Sequence, residues 1–196
     1  MFKLAMLLML SVSAYAVNPG DKAPEFKLLS HKGEEVALSQ FKGKFIVLEW
    51  YNKGCPYVRK HYDSGNMQAT QNVYKENDGV VWLTIVSSAE GKQGYLKDVA
   101  EAKAQYATDK LASDYLLLDP KGEVGRAYGA KTTPHIYIID GKMNLSYVGA
   151  MDSDDSYKPE SIKGATNYVT SSMSKLMLGE KPDPAKTRPY GCSVKY

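Results

Sequence analysis

Cysteine is scarce in this chain, which carries only Cys55 and Cys192 among 196 residues. A small secreted domain that depends on disulfides for its stability usually carries more. Two cysteines in an oxidising compartment are compatible with one structural disulfide and also with one redox couple. Composition alone leaves both alternatives open.

The sequence also lacks a strong excess of charge of one sign. Its formal net charge is +3, so the balance gives no indication of nucleic acid or an acidic membrane surface as a partner. A P-loop and a dinucleotide-binding fingerprint are absent as well. We therefore predict no nucleic-acid partner, no cofactor and no resident metal.

No apolar run is long enough to cross a bilayer, which needs about 20 residues, and the run at the N-terminus is also too short. Lys3 precedes the run Leu4 to Val12, and Ala14-Tyr15-Ala16 follows it. Positive charge, short apolar stretch and small-x-small site are typical of a signal peptide. We predict cleavage after Ala16, a periplasmic or extracellular protein, and no membrane span in the mature chain.

Strand-like and helix-like segments alternate through the rest of the chain. Apolar runs at 45–50, 80–86, 115–118 and 135–139 predict buried strands of a mixed sheet. Two shorter strands are expected at 25–29 and 36–38, and Asp140-Gly141-Lys142 predicts a hairpin leading to 144–148. Helices are expected over 56–76, 94–111 and 159–178. The pattern predicts an α/β domain over 17–178, with a central mixed sheet flanked by helices and an N-terminal β-hairpin extension. The last segment, 179–196, is proline-rich, which predicts an extended tail, and this tail carries Cys192.

Cys55 lies one loop after a predicted strand and directly before Pro56. Proline is favoured in the first helical turn, so we expect Cys55 at the N-cap of a helix. The free N–H groups at the helix start and Arg59, one turn along, would then favour thiolate over thiol. The alternative is a buried cysteine that acts only as a small apolar side chain.

Thr133-Pro134 precedes another predicted strand. Such a proline is either an ordinary strand-start proline or a cis proline, a costly feature that tends to be retained for a reason.

The motifs together carry a family resemblance. They are Pro19–Phe26 (PGDKAPEF), Phe41–Tyr51 (FKGKFIVLEWY), Cys55-Pro56, Leu118–Gly129 (LDPKGEVGRAYG), Thr132–Pro134 and Ile138–Lys142 (IIDGK). In this order the chain resembles the thioredoxin-like superfamily, in its peroxiredoxin-like branch (AhpC/TSA or redoxin). The resemblance implies a thioredoxin-like fold, a redox-active Cys55, and Thr133-Pro134 as a cis-proline loop facing its sulfur.

Some positions depart from better-known relatives. Val58 stands where a C-x-x-C protein has its second cysteine, and Asn52 stands where a peroxiredoxin has the threonine that orients peroxide. Peroxiredoxins also use an arginine to stabilise the thiolate, and the resemblance makes Arg59 and Arg126 the candidates. These departures are compatible with thiol chemistry, but they do not identify the oxidant on which Cys55 acts.

Cys192 is the remaining candidate partner for Cys55. Our hypothesis is a secreted thiol oxidoreductase, peroxiredoxin-like and antioxidant, in which Cys55 attacks a peroxide or disulfide and Cys192 resolves the product. An external dithiol would reduce the resulting disulfide. Two alternatives remain: a non-catalytic binding module stapled by a Cys55–Cys192 disulfide, and a copper- or zinc-handling protein using Cys55 with His135.

Overall fold

The apolar runs form the strands of a central sheet. A computed structural model of the chain describes residues 17–196, so the predicted signal peptide lies outside the described residues. The strands are β1 (Lys27–Ser30), β2 (Glu35–Ala37), β3 (Phe45–Trp50), β4 (Val80–Val86), β5 (Tyr115–Leu118), β6 (Thr132–Thr133), β7 (His135–Ile139), β8 (Leu145–Gly149) and β9 (Cys192–Ser193). Seven of them form one mixed sheet in the order β2-β1-β5-β4-β3-β7-β8, in which β3, β4 and β5 are parallel. The two shortest, β6 and β9, pair with each other.

Within residues 17–196 the strands are connected by five α-helices: α1 (Pro56–Asp63), α2 (Asn66–Lys75), α3 (Val99–Thr108), α4 (Glu123–Tyr128) and α5 (Tyr168–Met177). Short 3₁₀ turns lie at Leu38–Phe41 and Pro159–Gly164. The α/β fold with a central mixed sheet and an N-terminal hairpin, β1–β2, is confirmed. In the part of the chain that the structure describes, no helix is long and apolar enough to cross a bilayer.

The predicted helix over 56–76 is wrong as a single element. It divides into α1 and α2 at Gly65, whose φ of +76° is in the left-handed region that only glycine adopts without strain. The helix predicted over 159–178 is also shorter, because a 3₁₀ turn precedes α5. The Asn167 side chain caps α5 by accepting the Thr170 N–H at 3.0 Å.

The two faces of the sheet bury separate cores. Along β3 the side chains alternate, so Val47 and Tyr51 join the core under α1, α2, α3 and α5, whereas Leu48 and Trp50 join the core under α4. Cys55 belongs to the first of these cores. The site therefore forms where β3 ends and α1 begins.

Candidate functional site

The loop between β3 and α1 places Cys55 at the start of the helix. Cys55 is the N-cap of α1 and Pro56 is its first residue, as the cysteine-proline pair predicts. Asn52 shapes the loop with both ends of its amide: Nδ2 donates to the Gln93 carbonyl at 3.0 Å, and Oδ1 accepts the Gly54 N–H at 2.9 Å. The Asn52 amide is thus engaged in holding the loop, and its role in orienting peroxide stays a prediction.

The Cys55 thiol is buried against the loop that follows β6. Its side chain has no exposed surface, and Sγ donates to the Thr133 carbonyl at 3.0 Å. The Thr133–Pro134 peptide is cis. The structure therefore brings Cys55 and Thr133-Pro134 together, as the resemblance implies.

Cys192 is brought to the same place by the C-terminal tail. Strand β9 pairs antiparallel with β6, which sets Cys192 directly opposite Thr133, and the Val194 N–H continues the pairing to the Lys131 carbonyl at 3.1 Å. Cys192 packs against the core that contains Cys55, its thiol interacts with the Cys55 thiol, and both are free thiols in the structure. Burial and the neighbouring Cys55 sulfur raise the pKa of Cys192 to about 12, so Cys192 is a neutral thiol at pH 7.

The N-terminus of α1 makes no hydrogen bond to the Cys55 side chain. The sequence predicts that its free N–H groups point at Cys55, but Cys55 makes no side-chain capping bond, and Pro56 has no N–H. The Tyr57 N–H acts on Cys192, where it opposes the rise of the thiol pKa. Stabilisation of a Cys55 thiolate by the start of the helix stays a prediction.

The two arginines that the resemblance makes candidates for stabilising the thiolate form their polar contacts away from Cys55. Arg59 forms a two-bond pair with Asp109, at 2.9 Å from Nη1 and 2.5 Å from Nη2. The guanidinium of Arg126 lies over the Tyr196 ring, 4.5 Å from its centroid, and donates to the Lys121 carbonyl at 2.6 Å. Their stabilisation of a thiolate stays a prediction.

The tail is anchored on the N-terminal side of Cys192 by a buried ionic cluster. Lys60, on α1, is 1% exposed and lies 3.1 Å from Asp152 Oδ2. Its Nζ also donates to the Asp154 carbonyl at 2.7 Å. Tyr190 donates its hydroxyl to Asp152 Oδ1. The cluster of Lys60, Asp152 and Tyr190, called the latch below, therefore ties the tail to the helix that starts at Cys55.

A second anchor lies on the C-terminal side. The Tyr196 hydroxyl donates to the Ala130 carbonyl at 2.8 Å, and the Tyr196 ring fills the space above Gly122 and Gly125, where any added Cβ would collide with it. The Ala89 N–H donates to the Lys195 carbonyl at 2.8 Å. The tail is thus packed on the domain on both sides of Cys192.

Glu49 is a buried acid that our sequence reasoning did not single out. It has no exposed surface, and its carboxylate accepts hydrogen bonds from four donors: Tyr62 (2.8 Å), Trp82 (3.0 Å), Gln71 (3.1 Å) and Thr84 (3.3 Å). Burial raises its pKa to about 7, and the four bonds oppose that rise. The sequence does contain a signal that points to Glu49, because it is the one charged residue inside the apolar run of β3.

His135 does not share the face of the sheet on which Cys55 lies. Its ring packs on Tyr137 with centroids 4.5 Å apart, and Tyr137 belongs to the core under α4. Burial lowers the pKa of His135 to about 3. Within residues 17–196, no group of three or more metal-ligating side chains converges. The pairing of Cys55 with His135 that metal handling would need is therefore not formed.

A mixed sheet, a cysteine at the N-cap position of a helix and a facing cis proline together define a thioredoxin-like protein with one pair of neighbouring thiols. Residues 19–148 match the profile of the AhpC/TSA family, and the chain belongs to that family.

Characterised relatives come from two kinds of thiol protein. The chain is 27% identical over 163 residues to the thiol-disulfide oxidoreductase ResA of Geobacillus kaustophilus, covering 76% of this chain and 80% of the relative. It is 28% identical over 119 residues to the peroxiredoxin Bcp of Bacillus subtilis, covering 57% of this chain and 72% of the relative. The predicted family is confirmed, and these distant relatives are thiol-dependent oxidoreductases.

A solved structure of an uncharacterized conserved protein from Geobacillus kaustophilus has a similar fold over nearly the whole chain. Its TM-score is 0.75 at 26% identity, covering 97% of this chain and 98% of that one. The similarity therefore includes the length of the C-terminal tail as well as the domain.

Proposed function

We propose that this protein is a secreted, peroxiredoxin-like thiol oxidoreductase in which Cys55 reduces a peroxide and Cys192 resolves the product. The observation that carries the proposal is the position of Cys192. Strand β9 sets it opposite Thr133, whose carbonyl accepts from the Cys55 sulfur, so the two thiols are neighbours. Val58 leaves Cys55 without a partner inside α1, and the tail supplies that partner instead.

The chemistry balances with the two thiols and an external dithiol. The Cys55 thiolate attacks one peroxide oxygen, the O–O bond breaks, and Cys55 becomes a sulfenic acid while hydroxide leaves. The Cys192 sulfur then attacks the Cys55 sulfur, which forms the disulfide and releases water. The external dithiol then reduces that disulfide by thiol–disulfide exchange: both cysteines return to thiols, and the reductant is released as a disulfide.

The burial of Cys55 favours a small oxidant. A sulfur with no exposed surface is reached by a peroxide with less movement of the tail than a protein disulfide would require. The name of the relative Bcp, a peroxiredoxin, is in line with this choice.

A second candidate function is thiol–disulfide exchange with another protein. Cys192 is only partly buried, so it offers a sulfur that a bulky partner is able to reach. The name of the relative ResA, a thiol-disulfide oxidoreductase, agrees with this candidate. The two candidates differ in the oxidant and share the Cys55–Cys192 pair.

The test is the stoichiometry of oxidation. We expect reduced protein to consume one hydrogen peroxide, lose two thiols and gain an internal disulfide. Cys192→Ser should stop at a sulfenic acid on Cys55, trapped by dimedone, and Cys55→Ser should consume no peroxide. If peroxide leaves both thiols intact while a low-molecular-weight disulfide oxidises them rapidly, the second candidate replaces the first.

The same assay separates catalysis from a structural disulfide in a binding module. A disulfide that only staples the tail would form once and resist reduction, so no turnover would occur with dithiothreitol and peroxide supplied together. Secretion is tested separately: protein recovered outside the cytoplasm should begin at Val17, and an uncleaved N-terminus would contradict the signal peptide.

A further inference from the structure

We propose that this protein carries a binding site for a small carboxylate, in a cavity lined by His135, Lys131 and Lys186. The cavity lies between β7, β8, the loop after α4 and the C-terminal tail. It borders the core under α4, on the face of the sheet opposite Cys55. The site takes no part in the thiol chemistry, so the inference goes beyond the proposed function and stands without it.

His135 supplies a buried hydrogen-bond donor that has no acceptor. The residue is 3% exposed, and its Nδ1 accepts the Lys131 N–H at 3.3 Å and lies 3.1 Å from the Tyr137 hydroxyl. A ring nitrogen that accepts a backbone N–H carries no proton, so the neutral ring has its proton on Nε2. Among residues 17–196, Nε2 has no hydrogen-bond partner. Leaving a buried donor unpaired costs free energy, which an acceptor bound in the cavity recovers.

The charges around the cavity favour an anion. Lys131 and Lys186 both line it, and the lining given by the described part of the chain contains no Asp or Glu. The charges of both lysines act on His135, because they add to the effect of burial in lowering its pKa. Lys186 Nζ donates one proton to Asn18 Oδ1 at 2.6 Å, and an ammonium has three to donate. Each lysine is thus able to pair with a ligand beside the His135 ring.

The size of the cavity selects the class of anion. Its volume is about 60 Å³, and one water needs about 15 Å³ by the same measure, so it holds about four non-hydrogen atoms. Acetate has that number, whereas sulfate and phosphate have five atoms and present their oxygens in a tetrahedron. The walls contributed by Val17, Val148 and Pro189 are apolar and suit the carbon attached to a carboxylate.

The ligand would bridge the tail and the domain. Lys186 and Thr187 belong to the tail, and the Thr187 N–H donates to the Val148 carbonyl of β8 at 3.1 Å, which holds this wall in place. Lys131 belongs to the loop after α4. A carboxylate has two oxygens that accept several hydrogen bonds, so it is able to accept from Nε2 of His135 and to pair with both lysines.

Acetate is the probe for this site. The protein, expressed from its complete coding sequence and purified, is titrated with sodium acetate at pH 7, with sodium chloride holding the ionic strength constant. Long-range ¹H–¹⁵N NMR follows the rings of the three histidines. We expect a saturable shift of the His135 Nε2 signal, with Nε2 protonated throughout, and no such shift for His31 or His61. Acetamide, the neutral molecule of the same shape, should give no saturable shift, and sulfate should bind more weakly than acetate.

Lysine variants test the contribution of charge. Lys131→Gln and Lys186→Gln should each raise the Kd for acetate by about threefold, and the double variant by about tenfold. Lys181→Gln is the matched control, because Lys181 is an exposed lysine of the same tail that does not line the cavity. It should leave the Kd unchanged.

Three results would overturn the proposal. If acetate gives His135 no saturable shift, the cavity holds water only. Binding of acetamide as tight as that of acetate would show that the site does not select charge. Tighter binding of sulfate would contradict the class of anion inferred from the size. None of these readings depends on peroxide or on the thiols, so they leave the proposed function standing.

Discussion

Replacing Glu49 with glutamine should change how stability depends on pH. The pKa of Glu49 is raised from its ordinary value of 4.5 to about 7, chiefly by burial. A glutamine has the shape of the protonated acid, keeps one oxygen for the Trp82, Gln71 and Thr84 donors, and turns its NH₂ towards the Tyr62 hydroxyl, which is able to accept. Glu49→Gln therefore removes the titration and preserves the packing.

The sign follows from proton binding in the two states. Between pH 4.5 and about 7 the folded protein holds a proton on Glu49 that the unfolded chain has lost, so this residue's contribution to stability falls as pH rises. At about 1.4 kcal/mol for each pH unit, the whole difference is about 3 kcal/mol. The contribution is fully present below pH 4.5 and absent above pH 7.

Three histidines act in the opposite direction, so the variant must be compared with wild type at each pH. Burial lowers the pKa of His61 to about 4, that of His135 to about 3, and also that of His31. Their contribution to stability is present above pH 6.5 and is lost as pH falls towards the folded values. These terms cancel in the difference between Glu49→Gln and wild type.

The assay is urea unfolding followed by circular dichroism from pH 4.5 to pH 8.5. We expect the free energy of unfolding of Glu49→Gln, relative to wild type, to increase by about 3 kcal/mol across this range, with most of the change between pH 5 and pH 7. Glu76→Gln, an exposed carboxylate after α2, is the matched control and should show no such change. A difference that stays constant with pH would refute the argument that Glu49 titrates near neutrality.

Two further substitutions test the surroundings of the thiols. Asp109→Asn leaves the partly buried Arg59 guanidinium with only the exposed Asp63 carboxylate, 3.5 Å away, and urea unfolding should show a loss of about 2 kcal/mol. A loss below about 1 kcal/mol would show that solvent or Asp63 replaces the pair. Gly191→Ala places a methyl group against the Thr133 carbonyl at a φ of +136°, so the tail should lift and Cys55 alkylation by a bulky maleimide should become about tenfold faster. Unchanged alkylation in that variant would contradict the role of the tail as a cover.

The domain was predictable from the sequence where burial leaves a local pattern. The continuous apolar runs of β3, β4 and β7 predicted these strands within a residue, since strands buried on both faces have little polar character. The split between α1 and α2 was missed because periodicity continues across Ser64-Gly65. The cysteine-proline pair predicted the N-cap because both residues are adjacent in sequence.

The partners of the site residues were not predictable in the same way. Arg59 pairs with Asp109, the residue that ends α3, whereas its position one turn after Cys55 suggested a role at the thiol. The pairing of β6 with β9 consists of two residues on each side and depends on backbone hydrogen bonds, which any sequence is able to make. Long-range contacts of this kind have no local signature, so the sequence predicted only an extended tail.

The register of that short pairing decides whether the two cysteines meet. Successive side chains of a strand point to opposite faces, so a slip of one residue would set Gly191 or Ser193 opposite Thr133 and turn Cys192 away from Cys55. Two residues on each side are too few to fix a register by themselves. The anchors at Tyr190 and Tyr196 fix it from both sides. The buried charges of the latch, which lie outside the thiol pair, therefore belong to the arrangement that makes the pair possible.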